Sequence, residues 1–444
     1  MEISIYNIYE CLYISPLCSK KQQPVFSYFS CFLLRIQYNV EKKTLSHQRI
    51  NMNIAYLLFY LFIFFKQFYF FESGSFQPGD LFLMLSSLSL LIWYAAYGRK
   101  QFSLREAFDK SDLLLLLFTL CTMAVNGFYY LQYHDTRLIL SSIYFIYICI
   151  TVIVFRFLAR DHRFVMNCSR IFRINIYTQL FLYISSMGTY RFEHRWCGSF
   201  NDPNQFAFFI MICLFLSFLI NELYAHHSIS ELTDWIAGIF LIVLSNSSGI
   251  AAGVTVFLIL YFIYISCFAV KNITSKAKTD RYPKKTILFI ILALLILMIL
   301  LATVLHTDNV TTFFMRIYNK VASIRNGGIR FLLADRGLDK IFITPWGFLY
   351  GAGDGAFIRY AATYYPTSEV HCTPIGLWFN YGIIPFIMLC TWIWKNIRKL
   401  PPCAYIVYFS LFCECMFLAN HRQPFFWMII VLGAVWRESP TFSK

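Results

Sequence analysis

Charge is what this chain has least of. Only 14% of its 444 residues are Asp, Glu, Lys or Arg, against 58% hydrophobic and 20% aromatic, too little polar surface to cover a water-soluble globule of that size. Acidic residues are the scarcer kind, 23 against 38 basic, for a net charge of +15. In a soluble protein that excess would suggest nucleic acid. Here the bases sit in short loops between apolar runs, as cytoplasmic anchoring of a membrane protein requires, so no nucleic-acid partner is expected. The fourteen cysteines include no CxxC pair and no Cys/His ligand spacing, so no metal site is expected. Most of them, such as Cys121, Cys149, Cys213, Cys267 and Cys390, lie in apolar runs as small lipid-compatible residues. Only Cys197 and Cys372 fall in segments expected outside the membrane, where a disulfide is the minor alternative to two thiols. Neither an internal repeat nor a signal-peptide cleavage site is visible, so the first helix is expected to direct insertion itself.

What the chain has in abundance is apolar length. At roughly 20 apolar residues per crossing, it reads as an all-α polytopic membrane protein of about twelve transmembrane helices with one long external loop before the tenth. The spans are expected near Ile54–Phe71, Leu81–Tyr97, Leu113–Leu131, Leu138–Phe155, Ile174–Gly188 and Gln205–Leu223. Six more follow near Trp235–Leu244, Ile250–Val270, Thr286–Leu305, Pro374–Trp394, Ala404–Ala419 and Phe425–Trp436. Basic clusters at Arg99–Lys110, Arg156–Arg173, Lys271–Lys285 and Lys395–Lys399 fall on one side, which is then the cytoplasm. Residues 1–52 form an N-terminal segment, read either as a misplaced start ahead of Met52 or as an interfacial helix around Phe26–Ile36. Residues 53–305 hold nine helices, 306–370 a large external loop, and 371–444 the last three helices. Lys66 is expected to snorkel at the outer end of the first helix. Glu414, mid-helix, must be neutral, paired or turned to a cavity.

Three constellations interrupt the grease. Arg191 to Asn204 carries Arg191 and Arg195, a turn at Gly198, and an Asn201–Asn204 capping cluster whose amides favour an anion at the helix start; two arginines four apart suit a shared phosphate ligand, although a plain loop is the simpler reading. Ser245–Gly249 gathers small residues between two apolar runs, where close helix packing is commoner than catalysis. The long segment holds Arg330, Arg336, Trp346, the Gly351-Ala-Gly353-Asp354-Gly355 run, Tyr360, Tyr364 and His371. Such a composition suits a flap that stacks Trp346, Tyr360 and Tyr364 on sugars while guanidinium groups hold phosphate. The glycine run is not a nucleotide loop, because no strand and helix unit surrounds it. His371 is either a general base, being of the residue type that titrates near neutrality, or an interfacial histidine.

The order of these pieces carries a resemblance. Arginine, then Gly198-Ser-Phe200-Asn-Asp202-Pro203-Asn204 before a helix, a serine-rich break, Gly328-Ile-Arg330, Pro345-Trp-Gly347, Gly351-Ala-Gly353, and a histidine ahead of Gly382-Ile-Ile-Pro385 together resemble the O-antigen polymerase and ligase superfamily, across Arg191 to Phe386. The resemblance implies a metal-independent glycosyltransferase of the bacterial inner membrane, without cofactor. Its substrate would be a polyprenyl-pyrophosphate-linked oligosaccharide, moved to an acceptor hydroxyl at the external face. It makes Arg191 or Arg195, and Arg330, pyrophosphate-holding residues beside Arg336, and makes His371 the base, with Asp335, Asp339, Asp354 and Glu369 in reserve. A chain-length regulator and a flippase are the implied protein partners. Ser248 stands where many members carry arginine, and Cys372 where asparagine is common. A polymerase is favoured over a ligase acting on lipid A core. A lipid-linked oligosaccharide flippase is the remaining alternative, weakened by the lack of a repeat. A polyprenyl-phosphate-sugar transferase would need a larger first external loop than Glu72–Gly79.

Overall fold

The computed structural model describes residues 52–72, 75–98, 109–192, 195–224, 230–274, 336–354 and 370–438, with short pieces between 315 and 334. The chain divides into two units, Met1–Asn53 and Ile54–Lys444, and the second holds everything that follows. Its helices are α1 (Met52–Phe65), α2 (Pro78–Trp93), α3 (Asp112–Tyr133), α4 (Thr136–Leu158), α5 (His162–Ile184), α6 (Pro203–Leu223), α7 (Ser230–Leu244), α8 (Ser248–Thr274), α9 (Thr373–Tyr381), α10 (Ile383–Ile397), α11 (Pro402–Cys415) and α12 (Pro424–Glu438). Single helical turns lie at Lys340–Ile343 and Gly347–Tyr350. Strands β1 (Thr189–Arg191) and β2 (Arg195–Gly198) form an antiparallel hairpin, the one sheet among the described residues.

Five helices are long and apolar enough to cross a membrane: Pro78–Ala96, Asp112–Tyr133, Thr136–Leu158, Pro203–Leu223 and Ser248–Cys267. Met52–Phe65, Ile383–Ile397, Pro402–Cys415 and Pro424–Arg437 are shorter apolar helices. The chain is a helical membrane protein. The expected ninth span, Thr286–Leu305, lies outside the described residues, as do residues 1–51 and much of the expected 306–370 loop.

Local chemistry sets the helix starts. Asp135, Asp161 and Asp202 each accept a hydrogen bond from a backbone N–H of the following turn, capping α4, α5 and α6, and Pro203 follows Asp202 with its φ already helical. Apolar on every side, α6 runs through the centre, packed by α5, α7, α8, α11, α12 and β2. Large apolar side chains such as Leu88, Leu91, Leu120 and Phe128 point outward from α2 and α3, as a hydrocarbon solvent permits.

The expected tenth span is two helices. Gly382, at φ 87° and ψ 175°, occupies backbone space that only glycine enters freely, so the chain breaks between α9 and α10. Hydrophobic length does not register such a break, since one glycine leaves the apolar run intact.

Two further expectations are corrected at this level. Lys66 does not snorkel: it is 5% exposed, its Nζ lies 2.5 Å from Asp80 Oδ1, and the Tyr147 hydroxyl donates to the same oxygen at 2.5 Å. A carboxylate presented from the first turn of α2 offers more than the distant interface does. Arg156 is not a free anchoring charge either. It is buried, with Nε 2.9 Å from Asp112 Oδ2 and Nη2 donating to Asn396 Oδ1 at 2.7 Å, and it ties the ends of α4 and α10 to the start of α3.

Candidate functional site

The helix ends opposite the Arg156 cluster meet in one polar layer. The segment after α1 reaches the β-hairpin region, where Tyr69 N–H donates to Ser199 O at 3.0 Å and Asn201 Nδ2 to Phe71 O at 2.7 Å. Ser199 is also held from below by Gln67 and Gln179. Gln423, at the start of α12, donates to Tyr69 Oη at 3.2 Å. Residues distant in sequence thus converge where the chain turns between helices.

Arg191 and Arg195 face each other across the hairpin register and are put to different uses. Exposed Arg191 donates to Asn201 Oδ1 at 3.2 Å. Arg195 is 6% exposed; its Nε donates to Ser245 O and its Nη2 to Asn204 Oδ1, both at 2.8 Å, while Ser247 Oγ donates to the same Asn204 oxygen at 2.9 Å. Arg195 therefore staples the hairpin to the break between α7 and α8 instead of sharing a ligand with Arg191. The capping cluster is also occupied: Asp202 Oδ1 accepts from the amides of Asn204 and Gln205, so its own carboxylate fills the place expected for an anion. At the serine break a Cβ on Gly249 would lie 2.9 Å from Phe417 Cβ, and one on Gly253 would lie 2.9 Å from Glu414 Cβ, which is the close packing of α8 on α11 that small residues allow. The partner of Glu414 is Asn420, whose Nδ2 donates to Oε1 at 2.5 Å.

His371 and Arg336 are neighbours, the His371 N–H donating to Arg336 O at 2.9 Å. The Arg336 guanidinium bonds Phe417 O and sits 5.3 Å from the Phe417 ring. Trp346 is 68% exposed. Arg330, Tyr360 and Tyr364 lie outside the described residues, with Asp335 and Glu369. Cys197 and Cys372 are both buried free thiols, not a disulfide. Burial pushes the Cys197 thiol up to about 11 and raises Cys372 as well, with Arg336 opposing. Burial likewise lifts Tyr69 to about 12 against its hydrogen bond from Gln423. These three groups therefore stay protonated at neutral pH.

The glycine run is not a dangling flap. Ala352 N–H donates to Phe379 O at 2.9 Å and Gly353 N–H to Asn380 O at 2.8 Å, so the loop satisfies carbonyls that the end of α9 would otherwise leave without helical partners. The fit requires glycine: a Cβ on Gly382 would lie 2.6 Å from Leu349 O, and one on Gly351 would lie 2.8 Å from Asn380 O. The loop ends on Asp354, 4% exposed. Its N–H donates to Asn126 Oδ1 at 3.1 Å, and its carboxylate accepts from Ser141 Oγ, Asn380 Nδ2, and Arg422 Nη2 at 3.2 Å to each oxygen. Arg422 has a side chain 34% exposed and presents a cation in the same layer as Arg191, Arg336 and His371. Asn126, Ser141, Asn380, Arg422 and the Lys66–Asp80 pair were not legible as site residues. The one available signal was that polar residues inside apolar runs demand partners.

Compared with known proteins, the chain matches no family model, no curated protein and no solved structure.

Proposed function

We propose that this protein is a polymerase of lipid-linked oligosaccharide repeats, of about twelve spans, working at the external face of a bacterial inner membrane. The reading is supported most by one observation: Arg191, Arg336, His371 and Arg422 stand in a single polar layer at one end of an otherwise apolar bundle. The ordered motifs from Arg191 to Phe386 add to it. In the proposed reaction the acceptor hydroxyl oxygen attacks the anomeric carbon of the donor, and the bond from that carbon to pyrophosphate breaks. The polyprenyl pyrophosphate leaves with the bonding electrons, and His371 takes the hydroxyl proton. Negative charge growing on the leaving group needs fixed cations, and one well-placed donor of this kind is worth about 3 to 4 kcal/mol. Arg330, Arg336 and Arg191 fill that role in the proposal, with Arg195 holding the hairpin beneath them. Proton removal by a placed base adds roughly two to four orders of magnitude in rate. Trp346, Tyr360 and Tyr364 supply ring faces for sugars.

Purified full-length protein given synthetic polyprenyl-pyrophosphate-linked repeats tests this directly. Polymer should form with or without chelator, and neither Arg330→Ala nor His371→Ala protein, still inserted in the membrane, should make it. Wild-type chain lengths from either variant remove that residue from the mechanism. A deletion strain that still makes polymer but fails to attach it overturns polymerase in favour of ligase.

A further inference from the structure

Helices joined by four residues ordinarily lie against one another as antiparallel neighbours. α10 ends at Ile397 and α11 starts at Pro402, yet α10 packs on α3, α9 and α12 while α11 packs on α8 and α6, and the two hardly meet. Between them is a cavity of about 450 Å³ floored by Phe426 and Ile430 of α12, with Leu389 and Ile393 on one wall and Phe409 and Phe412 on the other. The hydroxyls along it are engaged with backbone: Thr373 with Leu418 O, Tyr408 with Ile429 O, and Tyr405 with Leu400 N–H. Water has no purchase on such walls, because apolar cavities stay dry, and an empty space would forfeit packing on every side.

One end of this wedge is Thr373 and Pro374, directly below the polar layer. Thr373 is bonded to Leu418, next to the Phe417 that carries the Arg336 guanidinium. A hydrocarbon lying in the wedge would bring an anionic head to Arg336. We infer that the wedge between α10 and α11 seats the first isoprene units of the polyprenyl diphosphate donor, with its diphosphate at Arg336. The volume lies in the range of specific ligand sites, roughly 300 to 1,000 Å³, and the aromatic rim of Phe386, Trp394, Tyr405 and Phe412 suits a methyl-branched chain. This assignment rests on the donor class proposed above.

Full-length protein in nanodiscs is equilibrated with a polyprenyl pyrophosphate carrying a photoreactive group on its first isoprene units, irradiated and mapped by mass spectrometry. Labels should fall in 383–397 and 402–415, and excess phospholipid should not compete them away. Cys390→Trp, which fills the wedge, should weaken equilibrium binding of the probe about tenfold, the effect of a steric clash of 1 to 3 kcal/mol. Leu88→Trp, on the outward face of α2, should leave it unchanged. Labels confined to other helices, or equal binding by Cys390→Trp, overturn the assignment. So does displacement by ordinary phospholipid, or a disulfide between Cys390 and a Leu294→Cys substitution, which would put the chain's own 286–305 segment in the wedge. Binding there without polymer formation keeps the wedge and sinks the transferase reading, whereas polymer formation with labels elsewhere does the reverse.

Discussion

Replacing Lys66 by Met keeps the length of the side chain and removes its charge, and the structure sets what that should do. Lys66 Nζ lies 2.5 Å from Asp80 Oδ1 with each side chain 7% exposed. At an effective dielectric of about 20 the attraction at that distance is about 7 kcal/mol, opposed by several kcal/mol of desolvation for each ion. The intact pair therefore contributes little net stability, but half of it is costly: stranding one buried charge destabilises by about 3 to 5 kcal/mol. Asp80 would keep the Tyr147 hydroxyl and the Gln77 N–H at 2.9 Å, which places Lys66→Met at the low end, about 3 kcal/mol. Adding Asp80→Asn removes the stranded charge while an amide still meets Gln77 and Tyr147, so the double variant should recover about 2 kcal/mol, within the usual coupling of contacting residues. Unfolding in mixed micelles with increasing dodecyl sulfate measures all four proteins. A Lys66→Met variant within about 0.5 kcal/mol of wild type, the ordinary scatter of surface changes, would show that Lys66 does reach solvent.

Gly382→Ala should cost about 1 to 3 kcal/mol from backbone strain alone, and the displaced Gly347–Asp354 loop should abolish polymer formation although no charged group is touched; normal polymer from a folded Gly382→Ala protein would refute the fit of loop to break. For Cys197, held up to about 11 by burial, the unfolded chain releases its thiol proton near the ordinary value while the native state retains it. Native stability should therefore fall as pH rises from about 9 towards 11, and that fall should vanish in Cys197→Ala; an unchanged slope refutes it.

Apolar length alone located most helices, because a bilayer acts on each segment separately: Leu138–Phe155 became Thr136–Leu158, and Gln205–Leu223 became Pro203–Leu223. The turn at Gly198, with φ 59°, and the capped start of α6 were legible for the same reason, since a turn and a cap are decided by neighbours in the chain. The tight packing at Ser245–Gly249 was also readable from its small residues. Pairings across the bundle were not. Asp354 and Arg422 are 68 positions apart, and Arg195 meets Ser245 50 positions away; only packing the helices brings them within bonding distance. Whether a cation faces solvent, as Arg191 does, or becomes a buried staple, as Arg195 does, depends on what the fold lays over it. Composition and local pattern thus settled that this chain lives in a membrane and roughly where it crosses. The tertiary structure decided which polar side chains satisfy one another and which remain turned towards the polar layer, because desolvation is a property of the assembled neighbourhood and not of the residue.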